Sequence, residues 1–258
     1  MPQIRVNGVS LTYEEYGSGA AVLGLHGTGS SLELWRDAGT RLGEHGRAIV
    51  YDRRGFGRSE RPEPFVSDVH GHADDAAALL DALDASPAIV VGRSQGGEIA
   101  VDLALRHPEH VRAVALLEGG GLSLSPSLRA WLGEIHERLF AAEPERAAEI
   151  VIGGVLGDGG WDALPAPIRR VFTDNNPAIL AEERAGFLDV TAGELGSIGC
   201  PILIVGGCDS PAPLVDATER MVAAMPSARV EWVEGGHLID PAHPAVLAFV
   251  DEVQAIIR

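Results

Sequence analysis

Short apolar, β-branched runs recur along the chain and stop at glycine-, histidine- or acid-bearing segments. Residues 4–6, the pair Asn7-Gly8 and residues 9–16 read as a hairpin with a tight turn. Residues 21–25 predict a short buried strand that ends at His26-Gly27-Thr28-Gly29. Residues 48–51 predict another, followed by Asp52-Arg53-Arg54-Gly55-Phe56-Gly57-Arg58-Ser59. The run 89–91 stops at Gly92, the run 111–117 stops at Glu118, and 201–205 and 230–233 add two more strands. Between these runs the apolar period becomes helical. Ala77, Leu80 and Leu83 share a face of 73–83, and Val101, Leu103 and Leu105 follow the turn after Gly92. Val246, Phe249, Val250, Val253 and Ile257 mark a terminal helix over 245–257, while Leu32, Leu34 and Trp35 open a helix or loop layer. Strands alternating with helices predict an α/β fold with a mainly parallel, doubly wound sheet covered on both faces.

The alternation breaks between Gly119 and Gly199. Ser125-Pro126 has the form of an N-cap and first helical position, and Leu128, Trp131, Leu132, Ile135 and Leu139 follow at helical spacing. The segments 150–156, 168–172 and 179–188 predict three further short helices, punctuated by Pro144, Pro165, Pro167 and Pro177. The expected organisation is a core of residues 1–121 and 198–258 with a helical cap, 122–197, inserted between two strands. The cap has more apolar residues than four small helices need. It is expected to face the sheet, a substrate or a second subunit, so a homodimer is one expectation.

Length and charge narrow the field. The 258 residues suffice for one α/β domain with an insertion and a large core. The formal net charge of −17 argues against nucleic acid and anionic membranes as partners, and also serves solubility. Cys200 and Cys208 bracket a predicted strand, which separates them by roughly 25 Å, too far for a disulfide. Two free thiols, an N-terminus without a signal-peptide apolar region, and no run of membrane-spanning length predict a cytoplasmic protein.

The candidate chemistry centres on Gly92-Arg93-Ser94-Gln95-Gly96. A strand, Gly-x-Ser-x-Gly and then a helix is the context of a nucleophile elbow. The turn is tight enough to require glycine at 92 and 96, and Gly97 lets the helix approach its strand. It raises the Ser94 hydroxyl clear of the sheet and aims the Gln95 N–H toward a reacting carbonyl. A serine nucleophile needs a base, and the base an orienting acid. His237, after the last predicted strand and two glycines, is the base candidate. His26, His70 and His72 are expected to make structural hydrogen bonds, and His45, His107, His110, His136 and His243 to lie at the surface. Two acids end strands where open α/β sheets place their sites: Glu118 and Asp209. Asp209 before Ser210-Pro211 also fits a helix start. Glu118 follows a run so apolar that an unpartnered carboxylate there is costly.

These pieces resemble the α/β-hydrolase superfamily. The resemblance rests on His26-Gly27, on Tyr51 through Ser59, on the Ser94 pentapeptide, and on Gly236-His237 followed by Pro244 and Phe249. It covers nearly the whole chain outside the cap. It implies Ser94 as nucleophile, His237 as base, an oxyanion hole from the N–H groups of Thr28 and Gln95, and no cofactor or metal. Most members place the acid where Asp209 lies; a minority, including lactonases that open large resorcylic lactones, place a Glu like Glu118. Glu118 is the first choice here and Asp209 the rival. The implied reaction is hydrolysis of a small-to-medium apolar ester or lactone through an acyl-enzyme. Trp131, Leu132, Ile135, Leu139, Trp161 and Phe187, with Trp35 from below, are candidates for an apolar lining, and packing within the cap competes for each. Arg93 and Arg54 are expected to pair with a carboxylate such as Glu98 or Asp52 rather than with an anionic substrate. Carbon–carbon hydrolysis, cofactor-free perhydrolysis or haloperoxidation, and a low-turnover ligand-binding relative are the alternatives on this scaffold. Ser94 argues against the dehalogenase and epoxide hydrolase branches, which need Asp at that position.

Overall fold

The computed structural model describes residues 1–256. Eight strands form one sheet: β1 (Gln3–Val6), β2 (Val9–Gly17), β3 (Ala21–Leu25), β4 (Arg47–Tyr51), β5 (Ala88–Arg93), β6 (Val111–Leu117), β7 (Ile202–Gly207) and β8 (Arg229–Val233). Their order is β1-β2-β4-β3-β5-β6-β7-β8. The β1–β2 and β2–β4 pairs are antiparallel, and all the others are parallel. The β1–β2 hairpin turns at Asn7 (φ 46°) and Gly8 (φ 79°), the two positive φ values that a two-residue turn needs to match strand twist.

The central strands read as unbroken apolar runs because both their faces are covered. Leu23, Val90, Val114 and Ile204 point into one layer with α2 (Val69–Ala82), α3 (Gln95–Arg106) and α10 (Ala212–Ala224). Val22, Ile89, Ala115 and Val205 point into the other, with α1 (Arg36–Gly43) and α11 (Pro244–Ala255). Strand alternation therefore produces two cores from one sheet. Helix α2 begins earlier than the expected residue 73, because Asp68 caps it by accepting the Gly71 N–H at 2.8 Å. The α10 helix lacked a clear stripe in the sequence; only its start at Pro211 was signalled. Ile257, expected on the terminal stripe, lies outside the described residues.

The break in alternation is a helical insertion between β6 and β7. It contains α4 (Pro126–Phe140), α5 (Ala147–Leu156), α6 (Gly160–Ala163), α7 (Ala166–Asp174), α8 (Asn176–Ala185) and α9 (Ala192–Gly196). Ser125 caps α4 by accepting the Leu128 N–H, with Pro126 at the first position. The helix expected over 179–188 instead starts at Asn176, with Pro177 in its first turn, and stops before Gly186 at φ 81°. Residues Leu188, Val190 and Leu195 rejoin the core beside α3 and α10. Both cysteines are free thiols, Cys208 exposed. Among the described residues no helix is long and apolar enough to cross a membrane.

Candidate active site

The C-terminal ends of β3, β5, β6 and β8 converge beneath the insertion. At the end of β5 the chain turns through Ser94, at φ 55° and ψ −124°, straight into α3. A Cβ on Gly92 would meet Gly96 O at 2.3 Å, and one on Gly96 would meet Leu25 O at 2.0 Å, so neither position admits a side chain. Ser94 is half-buried amid fully buried neighbours. Gln95 opens α3, so its N–H has no acceptor within the helix. The loop after β3 abuts the serine, and the Thr28 N–H on it has no acceptor among the described residues.

His237 follows β8 on the Gly235-Gly236 loop and is 7% exposed. Its Nδ1 lies 2.8 Å from Glu118 Oε2. Glu118, buried just past β6, also accepts the Gly207 N–H on Oε1 at 2.7 Å and the Ser210 hydroxyl on Oε2 at 2.9 Å. Burial acts to raise the Glu118 pKa, but the bonds from His237, Ser210 and Gly207 outweigh it and hold the carboxyl below its ordinary value. With Nδ1–H donating to this carboxylate, Nε2 keeps its lone pair. Asp209 is placed otherwise. Its Oδ2 accepts the Gly235 N–H at 3.1 Å, bracing the loop that carries His237, and no bond joins the two side chains. Four described non-glycine residues have positive φ: Asn7, Asp84, Ser94 and Glu118. The first sits in the hairpin turn and the second just past α2; the other two are at this site, where backbone strain is typically stored.

Ser94 and His237 line one cavity, roofed by the insertion. Trp131, Leu132 and Phe187 line it as expected. Trp35, Ile135, Leu139 and Trp161 do not. Trp35 is 1% exposed and packs beneath the sheet against Gly24 and the α1 layer, because its short turn tucks under β3. Ile135 and Leu139 continue the α4 stripe into the insertion's own core. Trp161 packs on Phe172, ring centroids 6.5 Å apart. The arginine expectations also change. Arg54 pairs with Asp75, while Arg93 donates to Ile239 O at 3.2 Å and lies near the Trp35 ring, paired with neither Glu98 nor Asp52. Asp52 instead accepts the Leu32 and Arg58 N–H groups.

His26, His70 and His72 make structural hydrogen bonds, to Gly27 O and the Arg53 N–H, to Asp102, and to Ser67 respectively. His136, expected at the surface, instead bonds Glu183 and stacks on Phe187 at 5.8 Å and 9°. Three further residues escaped the sequence reading. Glu183 lines the cavity. Glu182 forms a buried ion pair with Arg53 at 2.6 Å. Asn175, 3% exposed, donates to Gly29 O at 2.9 Å and Ser30 O at 3.2 Å and accepts the Gly57 N–H at 2.9 Å. Its signal was faint, an asparagine pair before a proline that reads as a plain turn.

The chain belongs to the α/β-hydrolase fold family, whose model matches residues 20–149. It is similar to the 2-hydroxymuconate semialdehyde hydrolase of Pseudomonas sp. (strain CF600), 36% identical over 124 residues. That match covers 47% of this chain and 44% of the relative, so it spans less than half of either. Several solved structures match along nearly their whole length, the next two among them. Est816, described as an N-acyl homoserine lactone degrading enzyme, is 26% identical with a TM-score of 0.72, covering 98% of this chain and 99% of that one. A thermophilic esterase from Thermogutta terrifontis is 25% identical with a TM-score of 0.75, covering 100% and 97%. The protein is thus a hydrolase by family.

Proposed function

We propose that the protein hydrolyses carboxylic esters or lactones through a Ser94–His237–Glu118 triad. The single observation that carries this reading is the 2.8 Å bond from His237 to a Glu118 carboxylate whose other bonds are also satisfied, beside a serine on a strained strand-to-helix turn. Glu118 fixes the imidazole tautomer, leaving Nε2 as the base. His237 takes the Ser94 proton as the oxygen attacks the carbonyl carbon. The oxyanion is met by the N–H groups of Thr28 and Gln95; losing one such donor typically costs roughly 3 kcal/mol. His237 then protonates the leaving alkoxide, and a water deprotonated by the same nitrogen releases the acid and restores Ser94. The similarity to an esterase and to a lactone-degrading enzyme supports this choice of bond. The fold alone would not, since one scaffold carries many chemistries.

The test is hydrolysis of short and medium p-nitrophenyl esters and of a macrocyclic lactone by the parent, Ser94→Ala, Glu118→Gln and Asp209→Asn. Turnover by the parent and by Asp209→Asn, lost in the other two, is the expected result. A parent that is inert and unlabelled by a fluorophosphonate overturns it. A second reading, carbon–carbon hydrolysis, draws on the similarity to the semialdehyde hydrolase. Faster turnover of 2-hydroxymuconate semialdehyde than of any ester would favour it.

A further inference from the structure

The cavity has a second imidazole–carboxylate pair in its roof. Glu183, on α8, is 8% exposed and is the only carboxylate lining the cavity among the described residues. Its Oε2 is bonded to His136 Nε2 on α4. Its Oε1 has no hydrogen-bond partner among the described residues. The insertion's other contributions to the lining include Leu128, Trp131, Leu132, Val151 and Phe187, none of them charged. None of these side chains is bonded to that oxygen, and only Trp131 among them carries a donor. That oxygen is left free to accept from a ligand in the cavity that Glu183 lines.

We infer that Glu183 Oε1 is the receptor for a hydroxyl group carried by the substrate, so that the preferred ester or lactone bears an alcohol or phenol on the part that reaches between α4 and α8. The inference rests on the ester-hydrolase reading for the carbonyl end of that molecule, and the Glu183 contact defines the other end. Three features select a hydroxyl. An anionic group meets a carboxylate already flanked by Glu182 and by a chain of net charge −17. A cationic group would have to shed its water in an apolar wall where His136 already pairs with the carboxylate. An amide offers an N–H but brings a carbonyl for which this wall holds one side-chain donor, the Trp131 indole N–H. A hydroxyl brings one donor and an oxygen that costs less to leave unpaired than a carbonyl. Glu182 does not compete for it, because Glu182 is not in the cavity lining; its Oε1 pairs with Arg53. His136, backed by the Phe187 ring, fixes the orientation of the Glu183 carboxylate from behind.

The experiment reads binding, so it does not depend on turnover. Ketones that mimic the ester cannot be hydrolysed at Ser94. A series of (4-hydroxyphenyl)alkyl methyl ketones of increasing chain length, each with its methyl ether, is titrated calorimetrically into the parent, Glu183→Leu and Glu183→Gln. Circular dichroism verifies that each variant is folded. In the parent, at least one phenol is expected to bind about ten-fold or more tightly than its ether, as a hydrogen bond to a charged group allows. That preference should vanish in Glu183→Leu and shrink in Glu183→Gln, with ether affinity little changed. Should Glu183→Leu fail to fold, Glu183→Gln alone decides. Equal affinity for phenol and ether in the parent, a preference that survives in folded Glu183→Leu or is undiminished in Glu183→Gln, or no binding by any phenol overturns the inference. If the phenol preference depends on Glu183 while no ester is turned over, the ester-hydrolase reading falls and the hydroxyl receptor stands.

Discussion

The two imidazole–carboxylate pairs of the cavity have the same components and opposite orientations. In the floor, Glu118 has both oxygens engaged, by His237, Ser210 and Gly207. Its bonding capacity is turned into the protein, and His237 is the member of the pair that lines the cavity. In the roof, Glu183 has one oxygen engaged and one bare, and the carboxylate is the member that lines the cavity. His136 stands behind it, its side chain 23% exposed and stacked on Phe187. A fully bonded carboxylate stays ionised and steers its imidazole, which suits a base. A half-bonded one retains a lone pair for an outside donor, which suits recognition. The number of acceptor oxygens left over, rather than the identity of the pair, separates the two roles.

The strongest way to break this contrast is to disable the floor. Ser94→Ala is expected to lower kcat on a p-nitrophenyl ester by about 10^6-fold, and Glu118→Gln by about 10^4-fold, both read from initial rates. A Glu118→Gln variant within a few-fold of the parent would mean that the floor pair does not orient a base. Next comes the tie between floor and roof. Asn175→Ala removes the amide joining α8 to the Gly29–Ser30 loop. A loss of about 2 kcal/mol, seen in denaturant unfolding, follows from unsatisfied buried groups. The same variant should lose kcat more than KM, because the loop carries Thr28.

Glu98 sharpens the contrast as a carboxylate with no imidazole. It is buried on α3, accepts only the Leu188 N–H at 3.2 Å, and has an orphan Oε1. Burial, with Glu182 and Glu183 nearby, pushes its pKa up to about 8 from an ordinary 4.5. The folded chain therefore binds the proton more tightly than the unfolded chain. This contribution to stability is complete below about pH 4.5 and is lost as pH rises through about 8. Glu98→Gln should flatten the fall in Tm over that window, measured by calorimetry across it; an unchanged slope would mean the group titrates normally. The smallest effect is expected from Asp209→Asn. Its side chain retains an acceptor for the Gly235 N–H, so kcat should stay within about three-fold, since surface substitutions of this kind move free energies by about 0.5 kcal/mol.

The floor was largely legible in the sequence and the roof largely was not. The elbow announces itself because an apolar β-branched run, two glycines and a helical stripe are each local signals, and they coincide at Ser94. Glu118 stood out because a carboxylate after Val114-Ala115-Leu116-Leu117 demands partners. Those partners, Gly207 and Ser210, lie about ninety residues away, so that Glu118 rather than Asp209 contacts His237 was visible only in three dimensions. On α4, one apolar stripe serves two purposes. Trp131 and Leu132 face the cavity, while Ile135 and Leu139 fill the insertion's core. Helical periodicity reports that a face is buried, not what buries it. Glu182-Glu183-Arg184 reads as a solvated helix end for the same reason, and nothing local distinguishes Glu182, which meets Arg53, from Glu183 beside it.

Asn175 also bears on how this scaffold can be re-engineered. A single amide holds together the loop that presents Thr28, the Gly55–Gly57 turn and the junction of α7 with α8. Helices α4 to α6 carry much of the lining yet lie outside that junction. A donor sequence grafted over residues 126–163 alters what the roof presents and leaves Asn175 in place, provided that it keeps the bonds from Asn176 to Glu145 O and from the Ala148 N–H to Asn176. A graft that runs past residue 174 takes the clasp with it. Its designer must then supply a new anchor for the loop before any new specificity can be read.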